Sequence, residues 1–289
     1  MEIILLYTNL KLSDKIKANT KEEYNLYKGV LFFDYDGTLV DKNEKIFFPT
    51  EKTISSLKKL QNNGYALCLA TGRSLSYVPE CGIDFDCMIT NNGGYTFYKN
   101  EVLCKKPFDK SIVKEMFDYC SHNDIIAVGE NENSCYCNNI KSPMFLEKIH
   151  MFNLTDDLFK EYNGEEEDIY KFFIIYPDHS YFKKFEEKFS SRTKITLPHL
   201  GLTSCDINPI GVSKQYGVEA ILKRFSLTKE NAYAFGDGGN DIDMLSAVKN
   251  SVVMGHHSPL LDGKGDFVTD TVKNEGIYKA LLHYGLLEV

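Results

Sequence analysis

The sequence predicts the α/β class: a Rossmann-like, doubly wound parallel sheet as the core, with an α+β domain inserted into it. Three observations carry this. Short apolar runs alternate with amphipathic stretches near both ends of the chain, the rhythm of a parallel sheet with helices on both faces. Several of these runs lead into loops of Asp, Gly or Thr, where the ligands of such sheets bind. Between 95 and 205 the rhythm changes to short strands mixed with helices.

Element by element, Gly29–Phe33 is a buried strand by composition. Ile54, Leu57 and Leu60 follow at helical spacing, and Gly64 is placed to stop that helix. Tyr65–Ala70 and Cys87–Thr90 continue the strands. In the middle, Thr96–Tyr98 and Val102–Leu103 flank Lys99-Asn100 as a hairpin. Ile112, Val113, Met116, Phe117 and Cys120 then mark one side of a helix. Strands are expected near Ile125–Val128 and Ser134–Cys137, a helix around Leu154–Tyr162, and a strong strand over Tyr170–Tyr176. A helix near Tyr181–Phe189 and strands near Ile195 and Cys205 follow. The core resumes with a helix at Val218–Leu222 and strands at Ala232–Phe235 and Ser251–Met254. The chain thus divides into an extension (1–28), a core (29–94 and 206–289) and an insertion (95–205). The extension is polar and rich in Lys, Glu and Asn after Ile3–Leu6.

Composition bounds the function. Hydrophobic residues make up 43% of the 289 and charged residues 26%, as in an ordinary globular protein. The formal charge of −8, with no basic cluster, argues against nucleic acid as the partner. No segment approaches membrane-spanning length, and the start lacks the basic residues and apolar stretch of a signal peptide. A cytoplasmic protein, a monomer or weak homodimer without membrane partners, is expected. The eight cysteines are scattered, several within apolar runs, and read as buried free thiols. Cys135 and Cys137 have no second pair to complete a metal site.

The chemistry sits in four stretches. Phe33-Asp34-Tyr35-Asp36-Gly37-Thr38-Leu39 follows an apolar strand, and carboxylates two residues apart there can be aimed into one pocket. An Asp-x-Asp-Gly surface turn would look the same. Thr71-Gly72-Arg73 supplies a hydroxyl and a backbone N–H suited to an anionic phosphoryl group. Lys214, after Gly211-Val212-Ser213, supplies a cation, and Gly236-Asp237-Gly238-Gly239-Asn240-Asp241 forms an acidic loop. In a parallel sheet all four converge on the carboxyl edge.

In order and spacing these stretches resemble the four motifs of the haloacid dehalogenase superfamily, in particular the Cof-like phosphatases with a type IIB α/β cap. Asn92-Gly93-Gly94 stands where such a cap opens and Asn208-Pro209 where it closes; Asp266–Thr269 and Asn274–Ile277 fit the family's tail. His256-His257 departs from the pattern, where such proteins usually carry Asn and a small residue. The resemblance implies a magnesium-dependent phosphatase acting on small phosphorylated metabolites, of sugar phosphate or pyridoxal phosphate type, through an aspartyl-phosphate. It implies Asp34 as nucleophile and Asp36 as acid and base. Thr71, Gly72, Lys214 and Asn240 would hold phosphate, and Asp34, Asp36 (through its main-chain carbonyl), Asp237 and Asp241 would serve the metal, Asp241 as ligand or outer-shell acceptor. Arg73 would touch the site or simply pair with an acid. A phosphomutase and a non-catalytic phosphate sensor are the competing readings. Specificity is expected from the cap, with Asp206 the first candidate.

Overall fold

The computed structural model describes residues 27–152, 154–165, 167–197 and 203–288. Residues 1–26, most of the expected extension, lie outside the described residues. Tyr27 already belongs to the core: its ring lies 4.7 Å from that of Phe225, and its hydroxyl donates to Asp86 Oδ1 at 3.1 Å.

The core opens with β1 (Gly29–Phe33), α1 (Glu51–Asn62), β2 (Tyr65–Ala70), β3 (Cys87–Thr90), β4 (Tyr95–Tyr98) and β5 (Glu101–Lys105). A cap follows: α2 (Lys110–His122), β6 (Ile126–Glu130), β7 (Cys135–Cys137), α3 (Pro143–Met151), β8 (Phe159–Glu161), β9 (Lys171–Ile175), α4 (His179–Phe189), β10 (Thr193–Thr196) and β11 (Ser204–Pro209). The chain returns to the core through α5 (Lys214–Phe225), β12 (Ala232–Gly236), α6 (Ile242–Ser246), β13 (Asn250–Val253), β14 (Phe267–Val268) and α7 (Gly276–His283).

The core sheet runs β14-β13-β12-β1-β2-β3-β4-β5. All its pairs are parallel except β3–β4 and β4–β5. β1 is wholly buried because both faces are covered. Val30 and Phe32 pack into one apolar cluster with Val218 and Ile221 of α5, and Leu31 and Phe33 into the other with Leu57 of α1 and Leu281 of α7. The sequence grows from β1 toward β2 on one side and from β12 toward β13 on the other. A crevice therefore opens at the carboxyl ends of β1 and β12, where this fold class binds ligands.

The second sheet, β10-β11-β9-β6-β7-β8, is antiparallel apart from β7–β8. On its middle strands Phe172 and Ile174 face α2 and α4, whereas Phe173 and Ile175 face the side of α3. The period of two places Lys171 beside Phe173 on that second face, opposite Glu130 and Val128 of β6.

Two expectations need correction. The hairpin at 95–105 does not open the insertion but extends the core sheet. β4 pairs with β3, with Cys87 opposite Tyr98, so by strand pairing the insertion begins after Lys105. Its far boundary likewise moves from 206 to the end of β11. The helix expected around Leu154–Tyr162 is absent. Its residues form a 3₁₀ turn and β8, whose Phe159 pairs with Cys135, while the helix lies earlier at Pro143–Met151. Pro143 in the first turn after Ser142 starts that helix, and Phe145 and Ile149 bury one turn apart. All eight cysteines are free, and only Cys104 is not buried. Burial pushes the Cys135 and Cys137 thiols up, which disfavours thiolate ligation. Among the described residues no helix is long and apolar enough to cross a membrane.

Candidate active site

Asp34 and Asp237 are the first residues after β1 and β12, which places them side by side at the crevice. The Asp34 N–H donates to the Phe235 carbonyl at 3.0 Å, fixing the turn-off. Lys214, first residue of α5 and wholly buried, donates from Nζ to Asp34 Oδ1 at 2.5 Å and to Asp241 Oδ1 at 2.6 Å. Asp241 Oδ2 accepts the N–H groups of Asp237 and Gly238 at 3.0 and 2.9 Å. Thr38 Oγ1 donates to Asp237 Oδ1 at 2.9 Å. Gly37, at φ +100°, leaves room for this approach: a Cβ there would stand 2.0 Å from Asp237 Oδ2.

Three carboxylates thus meet one ammonium in a buried space. Burial pushes Asp34 up to about 7; Asp241 adds to the rise and Lys214 opposes it. Burial, then Asp34 and Asp241, raises Asp237 as well. For Lys214 burial works against the charge, but Asp241 and Asp34 outweigh it and keep the ammonium protonated. Asp34, Asp237 and Asp241 each offer an oxygen within 4.8 Å of the others. Hard oxygen donors carrying excess negative charge fit magnesium. Both oxygens of Asp241 are engaged, which suits it to orienting the Asp237 loop as well as to ligation.

Asp36 lies in different company. Arg73 grips it with Nε at 2.7 Å and Nη2 at 2.8 Å, and Lys42 Nζ stands 3.3 Å away. Burial favours the neutral acid, but hydrogen bonds and charge from Arg73, aided by Lys42, hold Asp36 below the usual carboxylate range. With its side chain so occupied, Asp36 could serve a metal only through its main chain. The two readings of Arg73 coincide in the structure: it pairs with an acid, and that acid is Asp36 of the same cavity, which Arg73 also lines.

Thr71 and Gly72 follow β2 on the other flank of Asp34. Thr71 Oγ1 accepts the Arg73 N–H at 3.1 Å, which leaves its own proton for an anion. Asn240 Nδ2 donates to Asn92 Oδ1 at 3.1 Å, and Asn92 Nδ2 donates to Asp206 Oδ2 at 2.9 Å, linking the core loop to the cap. Asp34, Asp36, Thr71, Gly72, Asp237 and Asn240 all line one cavity of about 330 Å³. Lys214 lies beneath its floor. Neither histidine lines it: His256 Nδ1 faces Asp41 Oδ2 at 3.3 Å, and His257 Nδ1 stands 2.6 Å from the Met254 carbonyl oxygen.

The cavity also holds residues that sequence reasoning missed: Lys42, Tyr77, Glu130 and Lys171. Lys171 Nζ reaches Glu130 Oε1 at 3.1 Å and Asp206 Oδ1 at 3.5 Å, and Tyr77 donates to Glu130 Oε2 at 2.9 Å. Burial pushes Glu130 up to about 7 against the pull of Lys171. One signal was available: a lysine inside the apolar run Tyr170–Tyr176.

Comparison with known proteins gives the family and the fold. The sequence model of the haloacid dehalogenase-like hydrolases matches residues 31–281. A Bacillus subtilis protein named as a phosphatase, YkrA, is 30% identical over 267 residues, covering 90% of this chain and 98% of its own. The structure of the subclass IIB sugar phosphatase BT4131 superposes with a TM-score of 0.79 at 25% identity, covering 90% of this chain and 100% of that one. That of the phosphatase BT1666 from Bacteroides thetaiotaomicron gives 0.78 at 25% identity, over 95% of this chain and 100% of that one.

Proposed function

The chain belongs to the haloacid dehalogenase-like hydrolases as a phosphatase with an inserted α+β cap, and we propose that it hydrolyses small phosphorylated metabolites in two steps through Asp34. The observation that carries this is Asp34 itself, buried at the crevice on the cavity wall, with Lys214 on one oxygen and Asp237 alongside. A carboxylate nucleophile divides one difficult hydrolysis into two easier steps. In the first, an Asp34 oxygen bonds to phosphorus while the ester oxygen leaves and takes a proton from Asp36. In the second, Asp36 takes a proton from water, which displaces Asp34 and releases orthophosphate. Such acid–base help is worth roughly 10²–10⁴-fold.

The Thr71 hydroxyl, the Gly72 N–H and Asn240 line the cavity and would hold the phosphoryl oxygens, while Lys214, buried beneath Asp34, positions that carboxylate and adds positive charge from below, and phosphoryl transfer depends chiefly on such positioning and charge. Magnesium, held by Asp34, Asp237 and the Asp36 carbonyl with Asp241 as ligand or orienting partner, would supply positive charge against the carboxylates and phosphate. The Arg73 grip keeps Asp36 deprotonated, the state from which the second step starts, while lessening its strength as a base. In the first step that grip must loosen for Asp36 to carry a proton.

Phosphate release from a panel of phosphomonoesters with magnesium tests the reading. Wild type is expected to turn over, and Asp34→Asn to lose phosphate release while keeping its fold. Turnover by Asp34→Asn would remove the covalent route, and isomerised sugar phosphate in excess over free phosphate would make the chain a mutase.

A further inference from the structure

Asn92, in the turn between β3 and β4, stands between the two loops of the phosphate end and the cap. Its N–H donates to the Thr71 carbonyl at 3.1 Å. Its side chain lies against Gly72, where a Cβ would stand 2.9 Å from Asn92 Oδ1. The same Oδ1 accepts from Asn240 Nδ2 at 3.1 Å. Asn92 Nδ2 donates to Asp206 Oδ2 at 2.9 Å and, at 3.4 Å, to Asn208 Oδ1. The residue is buried and holds a left-handed backbone at φ 54°, which asparagine tolerates better than most side chains. Gly72, Asp206 and Asn240 line the cavity, and Asn92 sits behind them.

Chemistry gives this chain of bonds a direction. An ionised carboxylate only accepts, so Asp206 requires the NH₂ end of the Asn92 amide on its side. Asn92 Oδ1 is thereby turned to the core, where it accepts, and Asn240 must present Nδ2 to it. With Asn240 so turned, its oxygen lies at Gly238, 2.7 Å from where a Cβ would be. Nδ2 carries two protons, and the one not given to Asn92 remains for an anion. Reversing the amide would place its oxygen at the position of Nδ2, and an oxygen there repels an anion.

Deepening the phosphatase reading, on which it rests, we propose that Asn92 is a positioning residue: it relays the polarity of the cap carboxylate Asp206 to Asn240, so that an amide N–H and not an oxygen meets the phosphate. A cap side chain then acts on the phosphate end through a residue that touches neither substrate nor metal.

Phosphate release from acetyl phosphate by the full chain with magnesium, and its inhibition by orthophosphate, test this, because both report the phosphate end with little or no leaving group. Asn92→Gly suits the left-handed backbone and deletes the amide. The orthophosphate inhibition constant should rise, and kcat/KM fall, roughly tenfold, the scale of one hydrogen bond to a charged group. Asn240→Ala should do the same, and adding Asn92→Gly to it should cost less than about threefold more, because the relay then has no end to act on. A merely structural Asn92 would make the two losses multiply to about a hundredfold, which overturns the inference. An exchange of charge carries the test if Asn92→Gly fails to fold by circular dichroism. Asn92→Asp sets two carboxylates face to face, and their repulsion should draw the acceptor away from Asn240 and weaken orthophosphate inhibition. Adding Asp206→Asn restores a donor to that bond, and its amide oxygen can still face Lys171, so most of the loss should be recovered. The contact to Asn208 is missing from both, so the comparison isolates the bond to position 206. Absence of recovery overturns the inference and leaves the phosphatase reading standing. Absence of phosphate release by the wild type removes both.

Discussion

Asp34 and Asp36 stand two residues apart in opposite electrostatic surroundings. Burial lifts Asp34 from the ordinary 3.8 to about 7, whereas Arg73 and Lys42, against the effect of burial, hold Asp36 down. Each has a measurable consequence. For the metal-free protein, a carboxyl raised on folding binds more protons in the native state, so its contribution is full below pH 3.8 and is lost as pH rises through about 7. Thermal unfolding with a chelator should therefore show stability falling across that window, and magnesium should raise the midpoint more at the alkaline end than at the acid end. An equal magnesium effect at both ends would remove Asp34 from the metal site. For Asp36, Arg73→Ala should let the carboxyl rise toward its ordinary value. If the first step needs Asp36 protonated, the descending limb of kcat/KM against pH should move to higher pH. An unmoved limb would mean that Asp36 is not the acid. At this scale residue type and spacing were enough to pick out Asp34, Asp36, Thr71, Lys214 and Asp237 as candidates for one site, and the structure brings them together. The sequence was silent on the Arg73–Asp36 pair, because any acid on a neighbouring strand end could have answered Arg73.

Among the elements, the parallel strands were the most legible. Gly29–Phe33, Tyr65–Ala70 and Cys87–Thr90 need both faces apolar, and their bounds agree with the structure residue for residue. The cap was harder to read, because short half-buried strands and short helices leave similar traces over four or five residues. Around 154–162, where a helix was expected, Phe159, Lys160 and Glu161 pair into β8, and the helix begins earlier, at the Ser142-Pro143 signal. Turns with an obligatory glycine give sharper signals than either. Gly93 lies at φ +98°, and a Cβ there would stand 2.0 Å from the Ser213 carbonyl, one residue before Lys214. This glycine lets the turn after β3 press against the start of α5. Gly93→Ala should cost about 1–3 kcal/mol of stability for the backbone conformation alone. It should also displace Lys214 enough to lower phosphate release. Denaturant unfolding and turnover measured together check this, and wild-type values for both would show that the turn has slack.

For the whole molecule, the order core–cap–core was legible because each half of the core carries its own strand-end motifs. The point of crossing was not, since a hairpin that extends a parallel core and one that opens a cap have the same local pattern. The core supplies Asp34, Asp36, Thr71, Gly72, Asp237 and Asn240 to one end of the cavity, and most of the rest of its lining belongs to the cap, so the shape of the site depends on how the two are joined. The contacts between them are of two kinds. On the surface, Lys194 of β10 pairs with Asp243 of α6, both side chains 39% exposed. Inside, Asn208 at the end of β11 is buried, and its Nδ2 donates to the carbonyls of Asn91 at 2.9 Å and Tyr170 at 3.2 Å. Exposed ion pairs are worth about 0–1 kcal/mol, because water solvates both partners when they separate. A buried amide removed from two carbonyls leaves both without that donor, at about 1–3 kcal/mol. Lys194→Ala should therefore leave the unfolding midpoint nearly unchanged, whereas Asn208→Ala should lower it clearly and raise KM, because the cap wall of the cavity loses its anchor. The reverse order of effects would mean that surface charge, and not the buried amide at the crossing, holds the cap over the site.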